Sequence, residues 1–170
     1  RSFDHHFKVY GFWAPAVKDY VDAGCMDYLG SPEMQALFEM IDPYSYRERL
    51  SMPKFIFNSA GDQFFLPDSW KFYYEDLPGI KRIRYFPNTD HSLEPITDPL
   101  AEILLFYLTL SDDGPSAVPE CTWTTLPDGT IDLQTSENDV SVKLWQATNP
   151  SARDFRLEEI GEAYTSTTLR

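Results

Sequence analysis

The chain has 170 residues, of which 27 are acidic and 14 basic, so its formal net charge at pH 7 is −13. This charge argues against a nucleic-acid backbone or an anionic membrane as the partner, and no apolar run approaches the roughly 20 residues that span a bilayer. The length suits one domain or one and a half, and an aromatic content of 15% supports an apolar core. The polar N-terminus carries no signal peptide, so we expect the natural start, and any secretion signal, to lie upstream.

Helices are predicted before the centre of the chain. Residues 14–23 have helical apolar spacing and end at Gly24, a residue suited to a helix C-terminus. A second helix is predicted to begin at Ser31 and to end at Asp42-Pro43. Residues 1–50 are therefore predicted to form a cap-like helical part of the first domain.

Two features of this part invite a metal or disulfide interpretation. His5 and His6 are adjacent, but neighbouring residues on a helix do not face one another, and no further His or Glu follows at helical spacing. We therefore expect polar surface, or packing at the edge of a cap, rather than a metal site. Cys25 and Cys121 could pair with each other, pair elsewhere or stay free. We expect no metal and no cofactor.

The central stretch predicts strand, acidic loop, helix, strand and histidine loop. Residues 54–58 form a short apolar run followed at once by Gly61 and Asp62, and residues 80–86 alternate before a turn that leads to His91. Asp68 is predicted to cap a helix between them. A strand-helix-strand unit of this length favours parallel strands, so Asp62 and His91 should lie at the same sheet edge, where open α/β sheets place their sites.

The pairing of Asp62 with His91 would have a chemical meaning. A carboxylate bonded to one imidazole nitrogen fixes the tautomer and frees the other nitrogen to act as a general base toward a hydroxyl. In α/β-hydrolases the chain order is nucleophile, acid, histidine. The chain has acid then histidine, and it contains no Gly-x-Ser-x-Gly motif. The alternative is a capping Asp62 and a surface His91.

Three other carboxylates compete with Asp62 for the role of acid. Asp42 precedes proline and a helical segment, which suits a local turn, Asp68 suits a helix cap, and Asp90 suits a turn beside His91. Nearby, Phe64-Phe65 could line an apolar pocket beside the acid, although packing of the loop onto the sheet is the simpler interpretation.

After the histidine loop the pattern changes from helical to alternating. An apolar helix is predicted over residues 98–110, a linker over 111–119, and a hairpin about the turn at Pro127-Asp128-Gly129. Further strands are predicted near residues 140–145, 156–160 and 163–169. Four or five strands resemble the start of an immunoglobulin-like or fibronectin-like sandwich, which needs about seven. The charged run 153–156 is interpreted as an ion-pair cluster rather than as a partner site.

Long motifs give the chain a resemblance to a known family. They are Asp42-Pro43 with Tyr44 and Tyr46, Gly61-Asp62-Gln63-Phe64-Phe65, Pro67-Asp68-Ser69, Leu77-Pro78-Gly79, Pro87-Asn88 with His91, Leu144-Trp145-Gln146-Ala147, Asn149-Pro150 and Ala152-Arg153-Asp154-Phe155-Arg156. The chain resembles the C-terminal half of the PhoPQ-activated pathogenicity-related family, which includes autocrine proliferation repressor proteins. That family is similar to α/β-hydrolases. The resemblance implies that Asp62 is the acid and His91 the histidine, with the nucleophilic serine in the preceding half.

The sequence thus predicts an α/β fold: the C-terminal half of a hydrolase-like parallel sheet over residues 1–110, then an incomplete β-sandwich module over 120–170. The expected activity is acyl hydrolysis, of an ester or peptide-like bond, when the serine is supplied, and the 170 residues alone should be inert. The alternative is a secreted signalling or binding protein with a protein receptor on a non-catalytic scaffold. The resemblance implies a secreted or periplasmic location.

Overall fold

The computed structural model describes residues 2–93, 99–111 and 121–169. It is a mixed α/β structure of two compact units, one formed by residues 1–96 with 147–164 and the other by 97–146 with 165–170. Each unit draws on two separate parts of the chain. Most of the predicted linker, residues 112–119, lies outside the described residues. The division into a domain over 1–110 and a module over 120–170 therefore stays a prediction.

The first unit begins with short helices. Ser31 confirms the predicted start of one of them, because its hydroxyl accepts from the amide of Met34 at 3.1 Å. Gly24 has φ of 69°, as its position after a helix predicts. In chain order the elements are α1 (Ser2–Tyr10), a 3-10 helix (Pro15–Val17), α2 (Lys18–Asp22), a 3-10 helix (Cys25–Tyr28), α3 (Pro32–Ile41) and a 3-10 helix (Pro43–Arg49).

The two central strands are parallel, as predicted. β1 (Lys54–Ser59) pairs with β2 (Lys81–Phe86), and the register places Lys54 opposite Lys81 and Ser59 opposite Phe86. Both strands therefore end at the same edge, and the loops with Asp62 and His91 leave from that edge. This is the relationship on which the site depends.

The predicted helix between these strands is largely wrong. Only a 3-10 helix forms, Ser69–Phe72, and the side chain of Asp68 makes no cap hydrogen bond. The apolar residues of this stretch fall on two faces, so no single stripe directs a longer helix onto a neighbour. The carboxylate of Asp68 is bound instead by cationic side chains.

The interior of the first unit is small and rich in polar groups. Its buried apolar residues are Ala14, Val17, Ala60, Leu66 and Phe86. The buried polar residues are His6, Ser59, Asp62, Ser69, Thr89, Asp154 and Arg156. Buried polar groups need partners: Ser59 bonds to Thr89, and Asp154 bonds to Arg156.

The second unit contains one helix and two strand pairs among its described residues. α4 (Pro99–Leu108) has no buried residue, and Leu100, Leu104 and Tyr107 are each more than half exposed. β3 (Cys121–Thr125) and β4 (Ile131–Thr135) form the predicted antiparallel hairpin. β5 (Lys143–Gln146) pairs antiparallel with β6 (Thr165–Thr168).

The two strand pairs are separate two-stranded sheets in the part of the chain that the structure describes. The strand predicted at 156–160 is wrong: α5 (Leu157–Ile160) lies there, in the first unit. Glu158 and Glu159 lie on this one turn of helix, and both bind the Arg156 side chain. None of the described helices is long and apolar enough to cross a membrane.

Candidate functional site

The loop after β1 is built on Gly61. Its amide donates to the Thr89 carbonyl at 3.1 Å, and its carbonyl accepts from the Leu157 amide at 2.9 Å. A Cβ at this position would lie 2.6 Å from the Thr89 oxygen and 3.0 Å from the Leu157 Cβ. Glycine is therefore required for the close approach of three segments, and Asp62 follows directly from this junction.

The loop after β2 is tied to the same junction by hydroxyl groups. The Ser59 hydroxyl at the end of β1 donates to the Thr89 carbonyl, and the Thr89 hydroxyl lies 2.8 Å from the Phe86 carbonyl. Asn88, with φ of 57°, makes two hydrogen bonds to the backbone of Tyr164, of 3.0 and 2.9 Å. These contacts fix the turn that presents His91.

Asp62 and His91 are in direct hydrogen-bond contact. Asp62 Oδ2 lies 3.0 Å from His91 Nδ1. Since an ionised carboxylate only accepts, Nδ1 carries the proton and Nε2 is left with its lone pair. The other oxygen, Oδ1, accepts from the amides of Phe64 and Phe65 at 2.6 and 2.9 Å, so the orientation of the carboxylate is fixed by three donors.

The histidine is held on one side and open on the other. Its amide donates to the Gln63 side-chain carbonyl at 3.0 Å, and its ring stacks on Phe64 at 5.3 Å between centroids. The side chain of His91 is 47% exposed while that of Asp62 is 8% exposed. Nε2 has no hydrogen-bond partner among the described residues. A buried acid therefore orients an accessible imidazole.

Phe64 and Phe65 connect this pair to a cavity. Both rings contact the imidazole of His91, Phe65 at 5.6 Å, and both also line a cavity of about 540 Å³. The cavity wall does not include Asp62 or His91 themselves. The sequence left two roles open for these phenylalanines, packing of the loop and lining of an apolar pocket. In the structure both rings line the cavity.

His6 is buried, so the polar-surface placement expected for the histidine pair is wrong for it, whereas its packing among the N-terminal rings agrees with the other placement. It is 2% exposed, and its ring packs between Tyr10 and Trp13 with centroid distances of 4.8 and 5.8 Å. Its Nε2 accepts from the Ala14 amide at 3.1 Å. Burial lowers the pKa of His6, because desolvation penalises the imidazolium, while a hydrogen bond with the backbone of Phe64 acts in the opposite direction. Nδ1 nevertheless lacks a hydrogen-bond partner of normal geometry.

The three competing carboxylates have other partners. Asp42 Oδ1 accepts from the Tyr44 amide at 2.9 Å and so caps the 3-10 helix that follows. Asp90 Oδ1 accepts from the Ser92 amide at 2.9 Å, as a turn residue does. Neither carboxylate is hydrogen-bonded to His91. The structural roles predicted for Asp42 and Asp90 match these contacts.

Asp68 is the acceptor of a cation cluster rather than a helix cap. It lies 2.8 Å from His5 Nε2, 2.7 Å from Lys71 Nζ and 2.6 Å from Arg153. Burial acts to raise the pKa of Asp68, but hydrogen bonds from Lys71, His5 and Arg153 more than offset this effect and hold the pKa below its ordinary value. His5, whose side chain is 12% exposed, thus binds a carboxylate and does not lie on the polar surface.

A second charged cluster closes the back of the Gly61 junction. Arg156 is 4% exposed and binds Asp154 through Nε at 2.9 Å and through Nη2 at 2.7 Å. Its guanidinium also lies 5.3 Å from the ring centre of Tyr10 and 5.4 Å from that of Phe12. These bonds hold residues 154–156 against the N-terminal helices, and Leu157 follows at once. The ion-pair interpretation of the charged run agrees with these contacts.

The described residues also differ from the donor sets that metal ions require. No group of three or more His, Cys, Asp or Glu side chains among them could hold a metal ion. Cys25 and Cys121 are free, the first half-buried and the second exposed. The arrangement at Asp62 and His91 can accept a proton at Nε2 and stabilise the resulting imidazolium.

The structure and its site therefore define a mixed α/β protein with an acid–histidine pair at the carboxyl edge of two parallel strands. The model of the PhoPQ-activated pathogenicity-related protein family matches residues 1–156, and the chain belongs to this family. It is 39% identical over 166 residues to autocrine proliferation repressor protein A of Dictyostelium discoideum. That match covers 90% of this chain and 33% of the relative, so the chain spans about a third of its length. No solved structure matches the chain.

Proposed function

We propose that the chain carries the acid and the histidine of a Ser-His-Asp hydrolase triad, with Asp62 and His91 in these roles. The nucleophilic serine is supplied by a part of the protein outside this chain. The observation that supports the proposal is the 3.0 Å contact between Asp62 Oδ2 and His91 Nδ1, which leaves Nε2 on a half-exposed ring. The reaction is hydrolysis of an acyl bond in an ester or a peptide-like substrate.

Each residue has a defined part in this chemistry. His91 Nε2 accepts the proton of the serine hydroxyl as the oxygen attacks the acyl carbon, and returns that proton to the leaving group. Asp62 holds the proton on Nδ1 and stabilises the imidazolium by its charge. The amides of Phe64 and Phe65 fix the carboxylate, so the imidazole orientation does not depend on a mobile side chain.

The proposal includes a hydrolase-like fold. The parallel pair β1–β2, with both loops at its carboxyl edge, supplies the acid and histidine strands of such a sheet. The antiparallel pairs β3–β4 and β5–β6 are proposed to belong to a sandwich-like module. The family resemblance further supports a secreted or periplasmic location.

A second function has specific support in the relative from Dictyostelium discoideum, whose name describes an autocrine repressor of proliferation. In this alternative the chain belongs to a secreted signalling protein that binds a protein receptor. The acid–histidine pair would then be a retained part of the scaffold. The two functions differ in whether His91 takes part in bond cleavage.

The test is hydrolysis of 4-nitrophenyl butyrate by the natural full-length protein. Asp62→Asn and His91→Gln should each lower kcat by about 10³-fold or more, as losses from a triad do. Asp90→Asn is the matched control, since it removes a carboxylate one residue from His91 that makes only a turn, and it should retain activity.

The 170-residue chain by itself should not hydrolyse the ester. Full-length protein that cleaves the ester equally well with His91→Gln would refute the catalytic role of this histidine and favour the signalling alternative. Ester cleavage by the 170 residues alone, abolished by Asp62→Ala or His91→Ala, would show that the nucleophile lies within this chain.

A further inference from the structure

The loop after β1 holds His91 at both ends of the residue. Asp62 Oδ2 lies 3.0 Å from the ring nitrogen Nδ1, and the side-chain oxygen of Gln63 accepts from the His91 backbone amide at 3.0 Å. The two holding residues are consecutive in sequence. One short stretch of chain therefore contacts the histidine through its ring and through its main chain.

The bond from Gln63 has no substitute in the described part of the chain. The next two amides of the turn, those of Ser92 and Leu93, donate to Asp90. The His91 main chain has the Gln63 oxygen as its one hydrogen-bond partner among the described residues. Because a backbone N–H only donates, the atom that faces it is the oxygen of the Gln63 amide and not its nitrogen.

A bond to Nδ1 alone would not fix the reactive nitrogen of His91. With one ring atom tied, the imidazole can pivot about that bond, and each pivot carries Nε2 to a different place. The ring of Phe64 stacks on one face of the imidazole at 5.3 Å, which restricts tilting but permits sliding in the ring plane. Catalytic groups need positions defined to roughly 0.5 Å, and the main-chain bond from Gln63 supplies the second fixed point.

The Gln63 contact is suited to defining a position rather than to adding stability. The bond is exposed to solvent, so water can satisfy the His91 amide when the glutamine oxygen is removed. The net stability from such a bond is small, because a protein–water bond takes its place. Water exchanges freely, however, and places no restraint on the main chain. Loss of Gln63 should therefore alter the geometry of His91 more than the free energy of unfolding.

We propose that Gln63 is a positioning residue for His91, which acts through the main chain of the histidine loop to hold Nε2 in one place. Its effect on the ring depends only on the contacts of Asp62, Gln63 and Phe64 with the histidine. Its effect on catalysis rests on the proposed hydrolase function, in which Nε2 takes the proton of the serine hydroxyl. The two effects are measured separately.

The structural test is nitrogen NMR of the natural full-length protein labelled at its histidines. The signals of His91 are assigned by their loss in His91→Gln. The neutral wild-type ring should show its proton on Nδ1, as the bond to Asp62 requires. In Gln63→Met, where the side chain is similar in size and lacks the oxygen, the Nδ1 and Nε2 signals should move toward each other as the second tautomer becomes populated.

Gln63→Glu provides the rescue, because its carboxylate keeps an acceptor oxygen at the same distance along the side chain. The ring signals of this variant should stay close to those of the wild type. Gln134→Met is the matched control, since Gln134 is exposed on β4. The same substitution there should change neither the ring signals nor the activity, and the melting temperatures of both methionine variants should stay close to that of the wild type.

The kinetic test uses 4-nitrophenyl butyrate and the same variants. Gln63→Met should lower kcat about tenfold, the equivalent of one hydrogen bond, with KM nearly unchanged because the glutamine does not hold the substrate. Gln63→Glu should retain more of kcat than Gln63→Met does. A purely structural role predicts instead a lower melting temperature with unchanged ring signals and kcat in the folded protein, and that result would overturn the proposal.

The two proposals fail in different ways. Wild-type ring signals in folded Gln63→Met would overturn the positioning role whatever the esterase result. Altered ring signals in full-length protein that cleaves no ester would support the positioning role and refute hydrolysis. Loss of activity in His91→Gln together with full activity in Gln63→Met would support the proposed function and overturn the role of Gln63.

Discussion

The backbone amide of Gly61 lies 3.1 Å from the carbonyl oxygen of Thr89. This bond joins the loop that carries Asp62 to the loop that carries His91, one residue before the acid and two before the histidine. The distance between the two side chains is therefore set largely by backbone contacts and not by their own attraction. This places the geometry of the pair under the control of a residue that takes no part in its chemistry.

Gly61→Ala should disturb this junction. The new methyl group would lie 2.6 Å from a backbone oxygen that cannot rotate away, and overpacking of this kind costs about 1–3 kcal/mol. We expect a lower free energy of unfolding in urea and a change in the NMR signals of the His91 ring.

Gly30→Ala is the control for this substitution. Gly30 has φ of 84° and open space around its Cα, so alanine there should cost on the order of 1 kcal/mol from backbone strain and leave the His91 signals unchanged. Equal His91 spectra in the wild type and Gly61→Ala would contradict the proposed control of the pair by this glycine.

The buried imidazole of His6 should make stability depend on pH. Its pKa in the folded state is lowered, chiefly by burial, whereas the unfolded value is about 6.5. Below that pH the unfolded chain binds more protons at this residue than the folded chain, so the free energy of unfolding should fall as the pH decreases from 7 to 5.

His6→Gln should flatten this dependence, since an amide does not titrate and its oxygen can still accept from the Ala14 amide. Urea unfolding at pH 7 and pH 5, together with an NMR titration of the ring, measures both effects. Titration of His6 at or above 6.5 in the folded chain would be inconsistent with the burial described.

Asp68 should contribute to acid sensitivity at a lower pH. Its pKa is lowered in the fold because hydrogen bonds from Lys71, His5 and Arg153 outweigh burial. Its contribution to stability is therefore present above the unfolded value of about 3.9 and is lost as the pH falls below it. Asp68→Asn should cost on the order of 1 kcal/mol at pH 7, since the carboxylate is partly exposed, and progressively less below pH 4.

Asp22→Asn is the control, because its ion pair with Lys18 lies on the surface, with both side chains more than half exposed. That pair should contribute only about 0.3–0.5 kcal/mol. A larger loss from Asp22→Asn than from Asp68→Asn at pH 7 would contradict the importance of the cation cluster.

The sequence was informative where the fold depends on local signals. The alternation of residues 80–86 and the apolar run of β1 predicted two strands, and the length between them predicted their parallel pairing. Once the strands are parallel, Asp62 and His91 must leave from one edge. Their 3.0 Å contact matches one of the two alternatives that the sequence left open, the other being a capping Asp62 and a surface His91, and their catalytic role stays a prediction.

Long-range packing is what the sequence left undetermined. Two adjacent histidines resemble polar surface, although His6 is in fact covered by nearby rings, Tyr10 one turn further along the same helix and Trp13 just beyond it. Asp68 has the position of a helix cap, but Arg153, 85 residues away, competes for its carboxylate. The burial of Arg156 likewise depends on the rings of Tyr10, at the end of α1, and Phe12, just beyond it. No local pattern encodes the contact of Asp68 with Arg153 or those of Arg156 with Tyr10 and Phe12.

Two arginines of the charged run offer the sharpest comparison of buried and exposed ion pairs. Arg156 is 4% exposed at its side chain and Arg153 is 56% exposed, and each binds one aspartate at 2.6–2.7 Å. Arg156→Met would leave the carboxylate of Asp154, 12% exposed, without its counter-ion. Breaking a buried pair from one side costs about 3–5 kcal/mol, so we expect severe destabilisation or failure to fold.

Arg153→Met should cost no more than about 1 kcal/mol, because solvent replaces the exposed guanidinium and Lys71 and His5 still bind Asp68. The double change Arg156→Met with Asp154→Leu should recover part of the loss, since it removes the stranded charge. Urea unfolding of the three variants measures these differences. Equal losses from the two single variants would show that burial of Arg156 does not determine its contribution to the free energy of unfolding.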